Sequence, residues 1–396
     1  MTGTAEPGRV GDRDGHARHE DACAAALVEL AGMTPVRLAR ILDGMGPSVA
    51  WAALAAGTHP ADRARRFRGE AAGTAPEAVA ERYRAAGVAV LLPGRLGYPG
   101  ALEGDPGAPA VLGALGHPGV LDGRPAVAVV GTRSATPYGA RVAADLGHDL
   151  AAAGAVVVSG LARGIDGAAH RGALRAAAAP PVAVAGTGLT CPYPERHRAL
   201  WEAVAEAGAV LSEAPLAAPP RPGGFPARNR IIAALADVVV VVECHARGGS
   251  LHTVEAAARR AIPVLAVPGS VHSRASDGAN ALLVDGCAPV RDAADVLAAV
   301  DLARAARGRP AVGAAEREPN RVGDRAAGRA AVPGGPGTAP SDRLERAVLD
   351  AVESTPTAVE TVLARTGLSV SAAVAAADRL VGRGALVAGA GWWSRP

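Results

Sequence analysis

Residues Val127 to Gly139 read VAVVGTRSATPYG, and this stretch decides how the rest of the chain is understood. Four apolar residues with no polar alternation predict a short strand buried on both faces. A glycine-rich turn follows, then a helical segment near 138–153. The same rhythm repeats downstream. Strands are expected at Val127–Val130, Val156–Ser159, Val182–Ala185, Val210–Ser212, Val238–Glu243 and Val264–Val267, with helices near 167–177, 195–207, 227–236 and 250–260. Strand–helix alternation of this kind predicts an α/β domain with a doubly wound, mostly parallel sheet.

Working outward, residues 1–20 read as a disordered tail. From Asp21 the pattern turns helical, with Leu27, Leu30 and Met33, then Val36, Leu38, Ile41 and Leu42 after a break at Pro35. A small helical domain is expected over 21–85. Short strands at Val88–Leu91 and Val111–Leu112 lead into the main domain, 86–300. Residues 301–341 are rich in Ala, Gly, Pro and mixed charge, and predict a flexible linker. In 342–396, Leu344, Val348, Leu349 and Val352 space one helix and Val359, Val362 and Leu363 a second. A turn, a third helix and a glycine-marked strand complete the outline of a winged helix, whose helices could equally form a protein-binding module.

Composition narrows the function classes. Apolar residues make up 49% of the 396, which supports a folded core rather than disorder. No run approaches the roughly 18 apolar residues of a membrane helix, and the polar start is unlike a secretory signal. The four cysteines are far apart with no CxxC pair, so neither a disulfide framework nor a zinc site is expected, and a reducing cytoplasm suits the chain. Net charge is only +3, and every strong base is arginine, since lysine is absent. Arginine abundance of this kind reads as codon bias, so only arginines at particular places carry meaning.

Those places are four turns at the carboxyl ends of strands, where helix N-termini offer unpaired N–H groups. They are Gly131–Gly139, Ser159–Asp166 (SGLARGID), Gly223–Arg230 (GGFPARNR) and Gly248–Thr253 (GGSLHT). Together they predict an anion-binding rim carrying Arg133, Arg163, Arg228 and Arg230. None is a GxGxxG fingerprint or a GxxxxGK[ST] loop, so no cofactor is expected. Asp166 and His170 stand four apart, but with no third ligand nearby they read as an N-cap and a hydrogen-bonded histidine rather than a metal pair. Ser159 and Ser250 read as helix caps; Glu243 and Glu255 are candidate catalytic carboxylates, with pairing to an arginine as the alternative for Glu243 at its strand end. Phe225 is one of only two phenylalanines, yet it sits among glycine, proline and arginine. A ring beside guanidinium groups is a stacking platform with phosphate clamps, the combination that binds single strands; the alternative is a hydrophobic plug that holds the loop down.

The series VAVVGTRSATPYG, VVSGLARGIDGAAH, GTGLTCPYPERHRAL, LSEAP, FPARNRIIAALA, GGSLHTVEAA and VPG…SDGANALL resembles the DNA-processing protein family DprA/Smf, in the family's order, over about residues 98–300. The resemblance implies a Rossmann-like domain that binds single-stranded DNA, forms a homodimer and helps load the RecA recombinase in natural transformation, without catalysis. Residue by residue it implies DNA contacts at Arg133 of the first turn, Ser159 and Gly160 of the second, Phe225, Arg228, Asn229 and Arg230 of FPARNR, and Gly249 and Ser250 of the last; Gly131 and Arg163 join this set from the reading of the turns themselves. Many members carry a lysine where this chain has Pro222; Arg221 beside it is expected to supply that charge. Gly248 stands where the family has a serine. The segments 21–85 and 342–396 resemble the small N-terminal domain and the C-terminal winged helix found in many or some members.

Two other classes compete. Gly248–Glu255 resembles the PGGxGTxxE element of nucleoside-monophosphate phosphoribohydrolases, but the proline is missing and Glu255 comes one residue early. A winged helix joined to a ligand-sensing sheet would make a transcription regulator.

Overall fold

In the computed structural model, which describes residues 10–176, 178–309, 343–352, 357–389 and 392–395, the valine runs form the middle of a nine-stranded sheet. Five helices come first: α1 (Val10–Glu29), α2 (Pro35–Ile41), α3 (Pro47–Ala56), α4 (Arg68–Gly73) and α5 (Pro76–Ala85). Then follow β1 (Val88–Leu91), β2 (Leu112–Gly116), β3 (Ala126–Val130), α6 (Pro137–Ala152), β4 (Val156–Ser159), α7 (Ile165–Ala176), β5 (Val182–Val184), α8 (Arg198–Ala207) and β6 (Ala209–Ser212). The second half of the sheet comprises α9 (Gly224–Leu235), β7 (Val238–Val241), α10 (Leu251–Ala258), β8 (Val264–Ala266), α11 (Asp277–Val284), β9 (Ala288–Pro289) and α12 (Ala293–Ala306).

The strand order is β1-β2-β6-β5-β4-β3-β7-β8-β9. From β6 to β9 all neighbours are parallel, whereas β1 and β2 run antiparallel and extend the sheet beyond β6. The chain steps from β3 out to β6, then returns to lay β7 on the other flank of β3, with Val127 opposite Val238. The direction of winding therefore reverses between β3 and β7, and the turns after these two strands flank the resulting crevice.

Alternation along the valine strands builds two cores. Ala128, Val130, Val158, Val184, Val239 and Val241 pack with α9 and α10 on one face. Val127, Val129, Val157, Val238 and Val240 pack with α6, α7 and α12 on the other. A third cluster joins Leu27, Leu38, Trp51 and Tyr83 of the helical module to Ala183, Val210 and Trp201. The expected boundary near residue 85 thus falls inside one compact unit, which holds all the described residues from Val10 to Arg309.

The strands expected at Val88–Leu91 and Val111–Leu112 are found as β1 and β2 of the main sheet. Three expectations need correction. Residues 10–20 belong to α1 and not to a disordered tail. Helix α9 starts at Gly224, three residues earlier than expected, so Phe225 lies in a helical first turn rather than on a loop. Helix α12 extends to Ala306, where Arg304 is buried against Asp237 at 3.0 Å, so the chain past 301 is still part of the core. The remainder of the expected linker, 310–341, lies outside the described residues.

The C-terminal unit contains α13 (Arg343–Ala351), β10 (Thr357–Ala358), α14 (Val359–Thr366), α15 (Val370–Gly382), β11 (Val387–Gly389) and β12 (Trp392–Ser394). Its strands pair antiparallel in the order β10-β12-β11, and Val348, Val362, Ala376, Leu380 and Trp393 fill its core. Three helices closed by a small antiparallel sheet make a winged helix. Among the described residues no helix is long and apolar enough to cross a membrane.

Candidate nucleic-acid interface

A cavity of about 700 Å³ opens at the β3/β7 crevice. Its walls come mainly from Gly131–Arg133 after β3, Pro220–Asn229 entering α9 and His245–Thr253 entering α10, joined by Ala162 and Asp166 after β4 and by Tyr193 before α8. The β3 turn is fixed by its end. Thr136 accepts from the Gly139 N–H at 3.2 Å and so caps α6, with Pro137 at the first helical position. Glu243, buried at the end of β7, holds the same turn. Its carboxylate accepts from the Thr136 N–H at 2.9 Å and the Thr136 hydroxyl at 2.5 Å, and its carbonyl accepts from Thr132 N–H at 2.7 Å. The arginine pairing considered for Glu243 is therefore replaced by a loop-anchoring role.

That anchor presents Arg133 to solvent, with its guanidinium carbon 4.9 Å from the centre of the Phe225 ring. Tyr193 sits on the ring's other neighbourhood, with centroids 5.3 Å apart and planes tilted by 38°. Tyr193 was not singled out from sequence. The signal was available in CPYPERH, where an aromatic stands between two prolines. Arg163 is exposed and lines a smaller recess with Arg133, Gly160, Tyr193 and Phe225; Arg221 is exposed on the main cavity's lip. Arg133, Arg163 and Arg221 have no ion-pair partner among the described residues. Cation and ring together make an amphipathic rim.

Arg228 is different. It is only 4% exposed, and its guanidinium donates to Gly160 O at 2.7 Å, to Val184 O, and to Asn229 Oδ1 at 2.9 Å. Asp166 lies 3.8 Å away. Burial dominates both groups: it pulls the Arg228 pKa down to about 10 and pushes the Asp166 carboxyl up, each partly offset by the other's charge. Both are floor, not rim. Gly160 allows this, since a Cβ there would stand 2.1 Å from the Arg228 Nη2. Gly164 is the second required glycine, with φ +73° and a would-be Cβ 2.2 Å from Thr132 O.

The expectation that Arg228 and Arg230 clamp phosphates is thus not met by their placement. Arg230 points out of the cavity and pairs with Glu213 at 2.5 Å. Asn229 lines the cavity but spends its amide on Gly249 O at 3.2 Å. Ser159 is fully buried and donates to Val129 O at 2.6 Å, so its hydroxyl ties β4 to β3 instead of facing a ligand. The Ser250 hydroxyl turns to Cys244 Sγ at 3.0 Å and makes no cap bond. Gly131 and Gly249 do lie on the cavity wall, and Gly249 faces open space. Asp166 falls inside α7 rather than at its cap. His170 is fully buried with neither ring nitrogen hydrogen-bonded to the protein, and desolvation lowers its pKa to about 3. Among the described residues no cluster of His, Cys, Asp or Glu could hold a metal ion.

A family model described as DNA recombination-mediator protein A matches residues 89–301, and one described as DprA winged helix domain matches residues 332–376. The DprA of Mycobacterium tuberculosis is 45% identical over 172 residues, 43% of this chain and 44% of that protein, so the match spans less than half of that relative. Protein Smf of Synechocystis is 33% identical over 297 residues, 71% of this chain and 73% of its own. The X-ray structure of DprA from Streptococcus pneumoniae superimposes with a TM-score of 0.62 at 31% identity, covering 70% of this chain and 97% of that one. With a family model over more than half of its residues and a relative matched over 73% of that relative's length, the chain belongs to the DprA/Smf family of DNA-processing proteins.

Proposed function

We propose that this protein binds single-stranded DNA in the β3/β7 crevice, without catalysing a reaction on it. The observation that carries the reading is the cluster of Arg133, Phe225 and Tyr193 on the lip of the 700 Å³ cavity. A half-buried ring, Phe225, and an exposed one, Tyr193, beside unpaired guanidinium groups suit unstacked bases and phosphates, and the contact is indifferent to base identity. A duplex hides its bases inside the stack and gains nothing from the rings. The carboxylates that an N-glycosidic hydrolase would need are committed elsewhere: Glu243 anchors the β3 turn, and Glu255 is exposed beside His252 and does not line the cavity.

The family resemblance extends the proposal to a cytoplasmic homodimer that protects incoming strands and hands them to the RecA recombinase, with the winged helix as an accessory module. The cysteines among the described residues are all free, which fits a reducing compartment. The test is a titration of labelled single- and double-stranded oligonucleotides at two salt concentrations. Preference for the single strand is expected, with log affinity falling by about 0.7 per log salt for each phosphate neutralised. Equal affinity for duplex would sink the reading, and release of free base from nucleoside monophosphates would replace it. Faster RecA nucleation on strands carrying the protein is the corresponding check on the hand-over.

A further inference from the structure

A second basic surface lies on the helical module, apart from the crevice. Arg37 and Arg40 of α2 and Arg63 and Arg66 of the turn before α4 line a cleft of about 420 Å³. All four are exposed, and none has an ion-pair partner among the described residues. Some exposed arginines of this chain are paired along their own helix or turn, as in Arg84–Glu81, Arg198–Glu195 and Arg291–Asp295, while others, such as Arg141, Arg196, Arg247 and Arg259, have no ion-pair partner among the described residues but do not line a shared cleft with one another. The acid that shares the cleft, Asp62, is buried, and its two oxygens accept the Arg66 N–H at 2.9 Å and the Phe67 N–H at 3.0 Å. Its carboxylate is therefore spent on folding the turn, and four guanidinium groups are left facing a concave surface.

A groove borders the crevice at one end and runs toward the helix that carries Arg37 and Arg40 at the other. Arg221 lines both the DNA cavity and this groove of about 740 Å³, whose far wall is Gly32, Pro35 and Leu38. At that wall the cleft's arginines begin: Arg37 donates to Gly32 O at 2.7 Å, and the Arg66 guanidinium lies where a Cβ on Gly32 would be 2.5 Å away. Both acids of the groove are already partnered: Glu213 pairs with Arg230, and Glu29 accepts from the Tyr83 hydroxyl and the Leu216 N–H and lies 3.6 Å from Arg82.

We propose that the Arg37–Arg40–Arg63–Arg66 cleft is a second phosphate-binding site, taking the backbone of the same single strand after it leaves the crevice past Arg221. Guanidinium forks match phosphate oxygens, and a run of unpaired arginines along one path is the electrostatic footprint of a polyanion. This rests on the crevice being the primary DNA site. The test uses the full chain and the pair Arg40→Ala/Arg63→Ala, which leaves the two arginines that touch Gly32 in place. An oligothymidine of about 6 nucleotides, enough to fill one site of this kind, is compared with one several times longer. The short strand should bind the pair as it binds the parent. The long strand should bind several-fold more weakly, with a salt slope shallower by about 1.4, two phosphates at about 0.7 each. Arg40→Lys/Arg63→Lys should restore the slope, and Arg40→Glu/Arg63→Glu should deepen the loss. If the parent binds both strands and the alanine pair matches it on the long one, the second site is overturned and the cleft is left to an acidic protein surface. If the parent binds neither, the crevice reading falls, and this one with it.

Discussion

Arg133 and Arg228 line the same cavity and do opposite things. Arg133 stands on the turn after β3, exposed, unpaired and laid over the Phe225 ring. Arg228 stands one helical turn past Phe225, buried, and is consumed by two strand-end carbonyls, a neighbouring amide and Asp166. The rim arginine can exchange water for phosphate at little cost. The floor arginine could do so only by unmaking the ends of β4 and β5. A guanidinium near a ligand is thus a binding group only if its donors are still free.

The largest effect should come from the floor. Arg228→Met leaves Asp166 buried without its cation and three acceptors without donors, and is expected to destabilise the fold by about 3–5 kcal/mol, read from the urea midpoint. Parent-like stability with lost DNA binding would make Arg228 a phosphate clamp after all and erase the contrast with Arg133. The floor should also be the acid-sensitive part. His170 is held neutral in the fold, with its pKa lowered from 6.5 to about 3, so the unfolded chain binds the extra proton between those values. Stability should therefore fall as pH drops through 6.5 toward 3, by at most about 1.4 kcal/mol per pH unit from this group. Asp166, pushed up by burial, takes up its proton more readily in the fold than in the unfolded chain and offsets part of the loss. Urea midpoints at pH 7 and 5 should separate further in the parent than in His170→Leu; equal separation would show that His170 is not the sensor.

At the rim the expected losses are in binding. Phe225→Ala should weaken single-strand affinity by about 1–3 kcal/mol, the range for one stacked base, with the salt slope unchanged. If affinity holds and only the slope moves, the ring serves as a prop for Arg133 instead. Arg133→Ala should weaken binding several-fold and make the slope shallower by about 0.7, one counterion fewer, without altering the melt.

The valine runs made the parallel sheet readable because burial on both faces leaves no other pattern for a strand. The β3 and β10-type signals differ in this respect: Thr357–Ala358 and Trp392–Ser394 are too short to show any periodicity, and the wing strands were only partly foreseen. β1 and β2 were recognisable as strands, but the pairing of β2 with β6, which joins both to the main sheet, is a long-range fact that no local pattern holds. At the site, the positions of the four turns followed from the fold, whereas the direction of each side chain did not. Reading Gly223–Arg230 as a turn, where the helix in fact begins at Gly224, gave Phe225, Arg228, Asn229 and Arg230 equal access to ligand, whereas a helix sends each in its own direction. Ser159 misled for a related reason, since a hydroxyl at a strand end can cap a helix or bridge strands, and here it bridges to Val129 O. The rim partner Tyr193 comes from the segment between β5 and α8, whose glycines Gly186 and Gly188 stand five or more residues before it and were not counted among the four turns.

The smallest effect on binding is expected at Arg230, and it tests the helix start directly. At about 100° per residue, Arg230 lies about 140° around α9 from Phe225, whereas Arg228 and Asn229 lie within about 60° of it. Arg230 accordingly reaches away from the cavity to Glu213, whose carboxyl is pushed up by burial and drawn back by that guanidinium. Arg230→Ala removes no rim charge, so single-strand affinity and salt slope should both stay at the parent's values. The cost should appear in the melt instead, as about 1–3 kcal/mol for a buried carboxyl left without its partner. Glu213→Gln in the same background should recover part of that stability, because the amide has no charge to strand. A slope shallower by about 0.7 in Arg230→Ala would mean that the side chain swings to the strand on binding, and that the start of α9 unwinds to let it do so.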